Sequence, residues 1–287
     1  MLGKSPLVDA GYREQVGAGE MAHSPTSDAG QIEAERRPSD RRVLVVVPTY
    51  NERENISVLL EDLWRHCPEV NVLVVDDASP DGTGEIADAI SLTEPRLQVL
   101  HRAAKTGLGT AYVDGFRLAM AQGFELVVEM DADLSHRPED LPRLLEAAAT
   151  ADLVIGSRNI PGGGVVGWSA IRKLISRGGS LYARTILGLP VHDCTSGFKC
   201  FRREALLALE LETLRSNGYG FQVEVNHLCH VAGLRIVEVP ITFPDRTHGH
   251  SKMSSKIVLE AMLVVLDLRL GRKRAKPVAD PVATANG

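Results

Sequence analysis

Leu126-Val-Val-Glu-Met-Asp-Ala-Asp133 is a short, mostly apolar run that ends in two carboxylates. A run of this length between polar flanks reads as a strand buried on both faces, here Leu126 to Met130, closing on Asp131-Ala132-Asp133. The same pattern recurs upstream. Val43 to Val47 ends at Pro48-Thr49-Tyr50, and Val72 to Val75 ends at Asp76-Asp77. Leu97 to Leu100 leads to His101-Arg102, and Leu153 to Ile155 leads to Ser157-Arg158. Helical stretches separate these strands. One runs from Asn51 to about Arg65, with Asn51 expected as its cap and Glu54 placed for a capping box. Others end near Ile90, run from Leu108 to Ala121, and run from Pro138 to Ala149. Strands alternating with helices imply βαβ units and a mostly parallel, Rossmann-like sheet flanked by helices.

Beyond Gly156 the alternation breaks. A Gly-rich loop over Pro161–Gly167 precedes an amphipathic basic helix from Ser169 to Leu187. A helix over Phe221–Ala232 and a strand over Arg235–Val239 follow, as an elaboration on the same sheet. A single catalytic domain is expected over residues 41–270. The Gly/Ser/Ala-rich residues 1–40 read as a disordered extension, and the basic residues 271–287 as a disordered tail.

In open α/β sheets ligands bind outside the carboxyl ends of the strands. Those ends gather acidic, hydroxyl and basic groups along one edge. Asp131 and Asp133 offer hard oxygens to Mg²⁺ or Mn²⁺, which would also hold a substrate diphosphate. Gly107-Leu-Gly109-Thr-Ala-Tyr112 follows a strand and opens a helix, but Tyr112 stands where a dinucleotide fingerprint needs its third glycine. A nicotinamide-dependent oxidoreductase is a poor fit. Lys105, just before that helix, is placed to meet a phosphate.

The net charge of −5 argues against general nucleic-acid binding. The four cysteines lack metal-ligand or redox spacing and read as free thiols of a reducing, cytoplasmic compartment. Neither a secretory signal nor an apolar run long enough for a membrane span is present. The nearest candidate, Ile257 to Leu270, is short and carries Glu260 and Asp267.

Val47-Pro-Thr-Tyr-Asn-Glu52, Val75-Asp-Asp-Ala-Ser-Pro-Asp-Gly-Thr83 and Asp131-Ala-Asp-Leu-Ser-His-Arg-Pro-Glu139 resemble family 2 glycosyltransferases of the GT-A fold. Gly156-Ser-Arg158, Asp193-Cys-Thr-Ser-Gly-Phe-Lys199 and Asp245-Arg-Thr-His-Gly-His-Ser-Lys252 narrow the resemblance to the polyprenol (dolichol) phosphate mannose synthases. The resemblance implies that Pro48, Tyr50, Glu52 and Asp77 hold the nucleoside, with Asp76 near the base. It also implies that Asp131 and Asp133 hold the metal, with Ala132 between them at the nucleotide-sugar. Many relatives carry Gln where this chain has Ser135, whose hydroxyl is expected to ligate the metal or hold a water on it.

The expected substrates are GDP-mannose and a polyprenyl (dolichyl-type) phosphate. Arg158, Arg172, Ser196 and Lys199 are expected at the acceptor phosphate, and Arg246 and Lys252 at the donor and in catalysis. Asp193 either orients a substrate or caps a turn. A phosphate acceptor is already ionised at neutral pH and needs no strong general base, so in-line attack with inversion is expected. The Ser169–Leu187 helix sets Arg172, Lys173, Arg177 and Arg184 beside Ile171, Leu174, Ile175, Leu181 and Ile186. This suits peripheral binding to the cytoplasmic face of a membrane or, alternatively, packing on the sheet. A separate integral membrane partner is the other route to the lipid. UDP-glucose as donor, a sugar nucleotidyltransferase and a non-catalytic scaffold remain competing readings.

Overall fold

The structure is a computed structural model, described over residues 41–214, 216, 218–245 and 255–271. The expected extension at residues 1–40 and nearly all of the tail lie outside these residues, as do Arg246 and Lys252. The sheet comprises β1 (Val43–Thr49), β2 (Asn71–Asp76), β3 (Leu97–His101), β4 (Leu126–Glu129), β5 (Leu153–Ser157), β7 (Lys199–Arg202) and β8 (Ile236–Pro240). Its order is β3-β2-β1-β4-β7-β5-β8. All neighbours are parallel except β7, which runs antiparallel to both β4 and β5. Sequence reading missed β7, because four residues reading Lys-Cys-Phe-Arg carry no β-branched run. A second, two-stranded parallel sheet joins β6 (Gly164–Val166) to β9 (Thr242–Pro244).

Helices cover both faces. Alternation along β1 sends Val43, Val45 and Val47 to one core and Leu44 and Val46 to the other. The first core packs against α1 (Ile56–His66), α2 (Thr83–Ser91) and α4 (Leu141–Ala147). The second packs against α3 (Leu108–Ala121), α5 (Ala170–Leu187), α7 (Gly218–Val231) and α8 (Ser255–Arg269); α6 (Arg203–Ala208) follows β7. On α3, Gly115 allows the helix to lie directly on β1, since a Cβ there would come within 2.4 Å of Val46 Cγ1.

Two local expectations are corrected. Asn51 does not cap a helix: it has φ +60°, and α1 begins only at Ile56. The backbone N–H groups of Asn51, Glu52 and Arg53 instead donate to Ser79 Oγ, Thr83 Oγ1 and Asp81 Oδ2. The loop after β1 is thus stitched to the loop after β2, and no capping box forms. The Pro138 helix opens as a 3₁₀ turn over Pro138–Asp140 before α4. No helix among the described residues is long and apolar enough to cross a membrane.

Candidate active site

The carboxyl ends of β1, β2 and β4 lie side by side, with the Cα of Thr49 in register with that of Asp76. Chain order reverses here, β2 and β3 extending the sheet one way from β1 and β4 the other, so a crevice opens between the loops. Asp76 is buried and accepts from Thr49 Oγ1 at 2.8 Å, from Ser79 Oγ at 2.5 Å and from Ser79 N at 3.0 Å. It shapes the loop that follows β2. Asp77 pairs with Arg102, which also reaches Asp114 at 3.1 Å and thereby ties α3 to the end of β2. Lys105 stands over the Tyr50 ring, its ammonium 3.4 Å from the centroid. Pro48 and Tyr50 are half-buried on this edge, and Glu52 accepts from Asn55 Nδ2 at 2.8 Å. The structure therefore brings together the described residues expected at the nucleotide.

Asp131 and Asp133 follow β4 directly. Asp131 is half-buried, and its Oδ1 accepts from the Tyr112 hydroxyl at 3.1 Å. Tyr112 is fully enclosed, and burial followed by the Asp131 charge pushes its phenol well above the usual range, so it remains a donor. The Asp131 backbone N–H donates to His136 Nδ1 at 3.0 Å, which fixes that nitrogen as an acceptor. Asp133, next to buried Ala132, accepts from Ser135 N at 3.1 Å and from the Ser135 hydroxyl. Leu134 at φ +62° closes this tight turn. Ser135 is 0% exposed and serves Asp133, so the structure gives no support to it as an additional ligand.

Among the described residues no group of three or more His, Cys, Asp or Glu side chains is arranged around a common metal position. Two carboxylates at a strand end nevertheless fit a divalent cation whose remaining positions go to water and a diphosphate, the usual habit of Mg²⁺.

Across the crevice, Arg158 follows β5 and meets Asp193 in a two-pronged pair. Nε and Nη2 each donate to the carboxylate at 2.7 Å, and the Arg158 backbone N–H adds a third bond at 2.9 Å. Both residues are buried, at 6% and 0% exposure. Burial alone would raise the Asp193 carboxyl, but the Arg158 guanidinium outweighs it and holds the group below the usual range. Nη2 also reaches Thr195 Oγ1 at 3.0 Å. Nη1 makes no hydrogen bond among the described residues. Asp193 also accepts from the Thr195 backbone N–H, so its carboxylate closes its own turn, as one of the two readings expected, while holding Arg158 in place.

Arg172, from the first turn of α5, lies 3.9 Å over the Trp168 ring and donates to Asp245 at 2.6 Å. Trp168 packs edge-on against Phe243, Phe243 against His136, and His136 stacks on Phe198. This row of rings joins the Arg158–Arg172 side of the site to the Asp131 loop.

An open groove of about 620 Å³ is lined by Arg158, Trp168 and Thr195 together with residues of α5, α7 and α8. Its walls are mostly apolar, with Ile175, Tyr182, Val223, Met262 and Val265 among them. At its outer rim Ile171, Leu174 and Ile175 on α5 and Leu259, Met262 and Leu263 on α8 are exposed. The helix read as amphipathic packs Ala183 and Leu187 into the core, as one of the two readings expected, and leaves Ile171, Leu174 and Leu181 exposed.

Two residues expected at the acceptor sit elsewhere. Lys199 is 0% exposed, and its ammonium donates to Gln222 Oε1 and, at 3.1 Å, to the Gln222 carbonyl. It faces Glu129 across the β4–β7 pairing, and burial depresses its pKa while lifting that of Glu129 to about 7. Drawn into the core by its strand register, the Lys199 ammonium is enclosed and already partnered, and the structure does not display it to an incoming phosphate. Ser196 is likewise buried, its hydroxyl donating to the Gly156 carbonyl at 2.6 Å. Sequence reading placed Arg102 at a strand end and His136 within a motif but gave neither a role, and it missed Tyr112 and Trp168. Tyr112 stood in plain view as the residue that spoils the dinucleotide fingerprint, whereas Trp168 carried no spacing signal.

The chain matches the glycosyl transferase family 2 over residues 44–209. It is 54% identical over 224 residues to the undecaprenyl-phosphate mannosyltransferase of Micrococcus luteus, covering 78% of this chain and 92% of that one. It is 47% identical over 241 residues to the polyprenol monophosphomannose synthase of Mycolicibacterium smegmatis, covering 83% and 91%. Glucosyl-3-phosphoglycerate synthase from Mycobacterium tuberculosis, in complex with Mn²⁺, UDP and glucosyl-3-phosphoglycerate, superposes with a TM-score of 0.61 at 22% identity, covering 90% and 88%. That last likeness is one of fold. The chain therefore belongs to glycosyltransferase family 2 and, within it, to the polyprenol-phosphate mannose synthases on a GT-A fold.

Proposed function

We propose that the chain transfers mannose from GDP-mannose to a polyprenyl monophosphate, with inversion at the anomeric carbon, on the cytoplasmic face of a membrane. The observation that carries this reading is the position of Arg158. Its guanidinium is clamped by Asp193 in the wall of an otherwise apolar groove, with Arg172 close by on the same Trp168 ring. A cationic group in an apolar groove matches an amphiphile that has one anionic end.

Two edges of the site divide the work. On one, Pro48, Tyr50, Glu52, Asp76, Asp77 and Lys105 hold the nucleotide. Asp131 and Asp133 would hold Mg²⁺ or Mn²⁺, which as a Lewis acid neutralises charge developing on the departing diphosphate. Tyr112 and Ser135 keep the two carboxylates in place by donating to them. On the other edge, Arg158 and Arg172 receive the acceptor phosphate. A phosphomonoester has its second pKa near 6, so at neutral pH it is already largely dianionic and attacks without a general base. The protein's task is then alignment and charge compensation. Arg246 and Lys252 are assigned to the donor diphosphate by sequence alone.

The exposed apolar residues of α5 and α8, with Lys173, Arg177 and Arg184 on α5, support direct contact with an anionic leaflet. An integral membrane partner covering the same residues is the other way to meet the lipid. The test is incubation with labelled GDP-mannose, Mn²⁺ and either polyprenyl phosphate or the free polyprenol. Label must enter the organic phase with the phosphate alone, and the product must carry the anomeric configuration opposite to the donor's. Equal labelling of the free alcohol would overturn the acceptor assignment.

A further inference from the structure

The Arg158–Asp193 clamp has its own anchor. Glu238 rises from β8 opposite Ile155 of β5, and its side chain is 9% exposed. One carboxylate oxygen accepts the Asp193 backbone N–H at 2.9 Å. The other accepts the His192 backbone N–H at 2.9 Å and faces His192 Nδ1 at 2.8 Å. One side chain thus takes two consecutive backbone donors and an imidazole. The carboxylate that this turn projects is the one that engages Arg158 through N, Nε and Nη2.

We propose that Glu238 is a positioning residue for the transfer reaction: it locks the His192–Asp193 turn, so that Arg158 presents its guanidinium to the acceptor phosphate in one orientation. The inference rests on the acceptor reading above. A free arginine side chain samples many rotamers, and donors that are already oriented need no reorganisation when the phosphate arrives. Asp193 supplies that order only if its own backbone is held. The His192 and Asp193 backbone N–H groups hold it by donating to the nearly buried Glu238 carboxylate on β8. His192 is half-exposed and completes the anchor from outside without touching Arg158.

A purely structural Glu238 would tie β8 to the turn and affect stability alone. The two roles separate in kinetics. Full-length E238A and E238Q are compared with the wild type for thermal stability, donor KM, acceptor KM and kcat, with GDP-mannose, Mn²⁺ and polyprenyl phosphate. Loss of positioning predicts that E238A raises acceptor KM or lowers kcat by ~10- to 100-fold while donor KM stays unchanged. E238Q keeps an acceptor oxygen at the same reach and regains most of the loss. If E238A does not fold, a smaller shift in E238Q confined to the acceptor constants supports the proposal. Folded variants with wild-type kinetic constants, whatever their melting temperatures, overturn it. If the wild type transfers nothing to polyprenyl phosphate, the acceptor reading fails on its own. Calorimetric binding of a short isoprenyl phosphate then decides: weaker binding by E238Q than by wild type keeps the anchor, and equal or no binding by both removes it.

Discussion

The Arg158 guanidinium and the Asp193 carboxylate meet through two bonds of 2.7 Å, and the same carboxylate takes the Arg158 backbone N–H. A buried pair of this kind stabilises little against an apolar replacement, yet breaking it strands a charge and costs about 3–5 kcal/mol. D193N should therefore lose about that much stability at pH 7. Arg158 holds the Asp193 carboxyl below its ordinary range, so its contribution is complete well above the ordinary carboxylate pKa and is lost as pH falls through the ordinary value towards the folded one. The stability gap between wild type and D193N, from denaturant melts, should stay constant between pH 7 and about pH 5 and narrow below that. A gap that closes already by pH 5 would mean that the carboxyl titrates above its ordinary value.

Asp133 has one carboxylate oxygen, Oδ1, held by both the backbone N–H and the hydroxyl of Ser135, across a tight turn closed by Leu134 at φ +62°. D133N should fold and bind polyprenyl phosphate but abolish transfer at every Mg²⁺ or Mn²⁺ concentration. Near-normal turnover in saturating metal would remove Asp133 from the site.

Tyr112 offers a milder perturbation. Y112F keeps the stacking on Phe221, whose ring lies 5.9 Å away at 8°, and deletes only the bond to Asp131. Loss of an outer hydrogen bond to a metal-binding carboxylate should weaken metal activation by ~10-fold, leaving acceptor KM as it was. Activity titrated against Mn²⁺ checks this.

On α5, Ile171 and Leu174 are 72% and 73% exposed. Replacing both with Asp should leave the melting temperature near that of the wild type, because neither side chain supports the core. Flotation with anionic vesicles at low salt should fall sharply. Undiminished flotation would place membrane contact elsewhere or on a partner protein.

Much of the fold was legible because five of the sheet's strands announce themselves as aliphatic runs that end in polar residues. The α3 boundaries, Leu108 to Ala121, could be read directly from the flanking Gly107 and the 3.6-residue spacing. Strand β7 escaped because its neighbours on both sides, and not its own composition, make it a strand. The same blind spot misplaced Lys199. Motif spacing put it among the acceptor cations, and only the pairing of β7 with β4 shows that it points into the core beside Glu129. The carboxylates of the site were visible as strand-end residues. Their supports, Tyr112, Arg102 and Glu238, come from distant parts of the chain, and no local pattern joins them.

The most direct test of the account is a side-by-side transfer assay with purified protein, Mg²⁺, polyprenyl phosphate and labelled GDP-mannose or UDP-glucose. Label passing into the organic phase from GDP-mannose and not from UDP-glucose is the predicted result. Label passing only from UDP-glucose, or from neither donor while nucleotide binding remains metal-dependent, would contradict it.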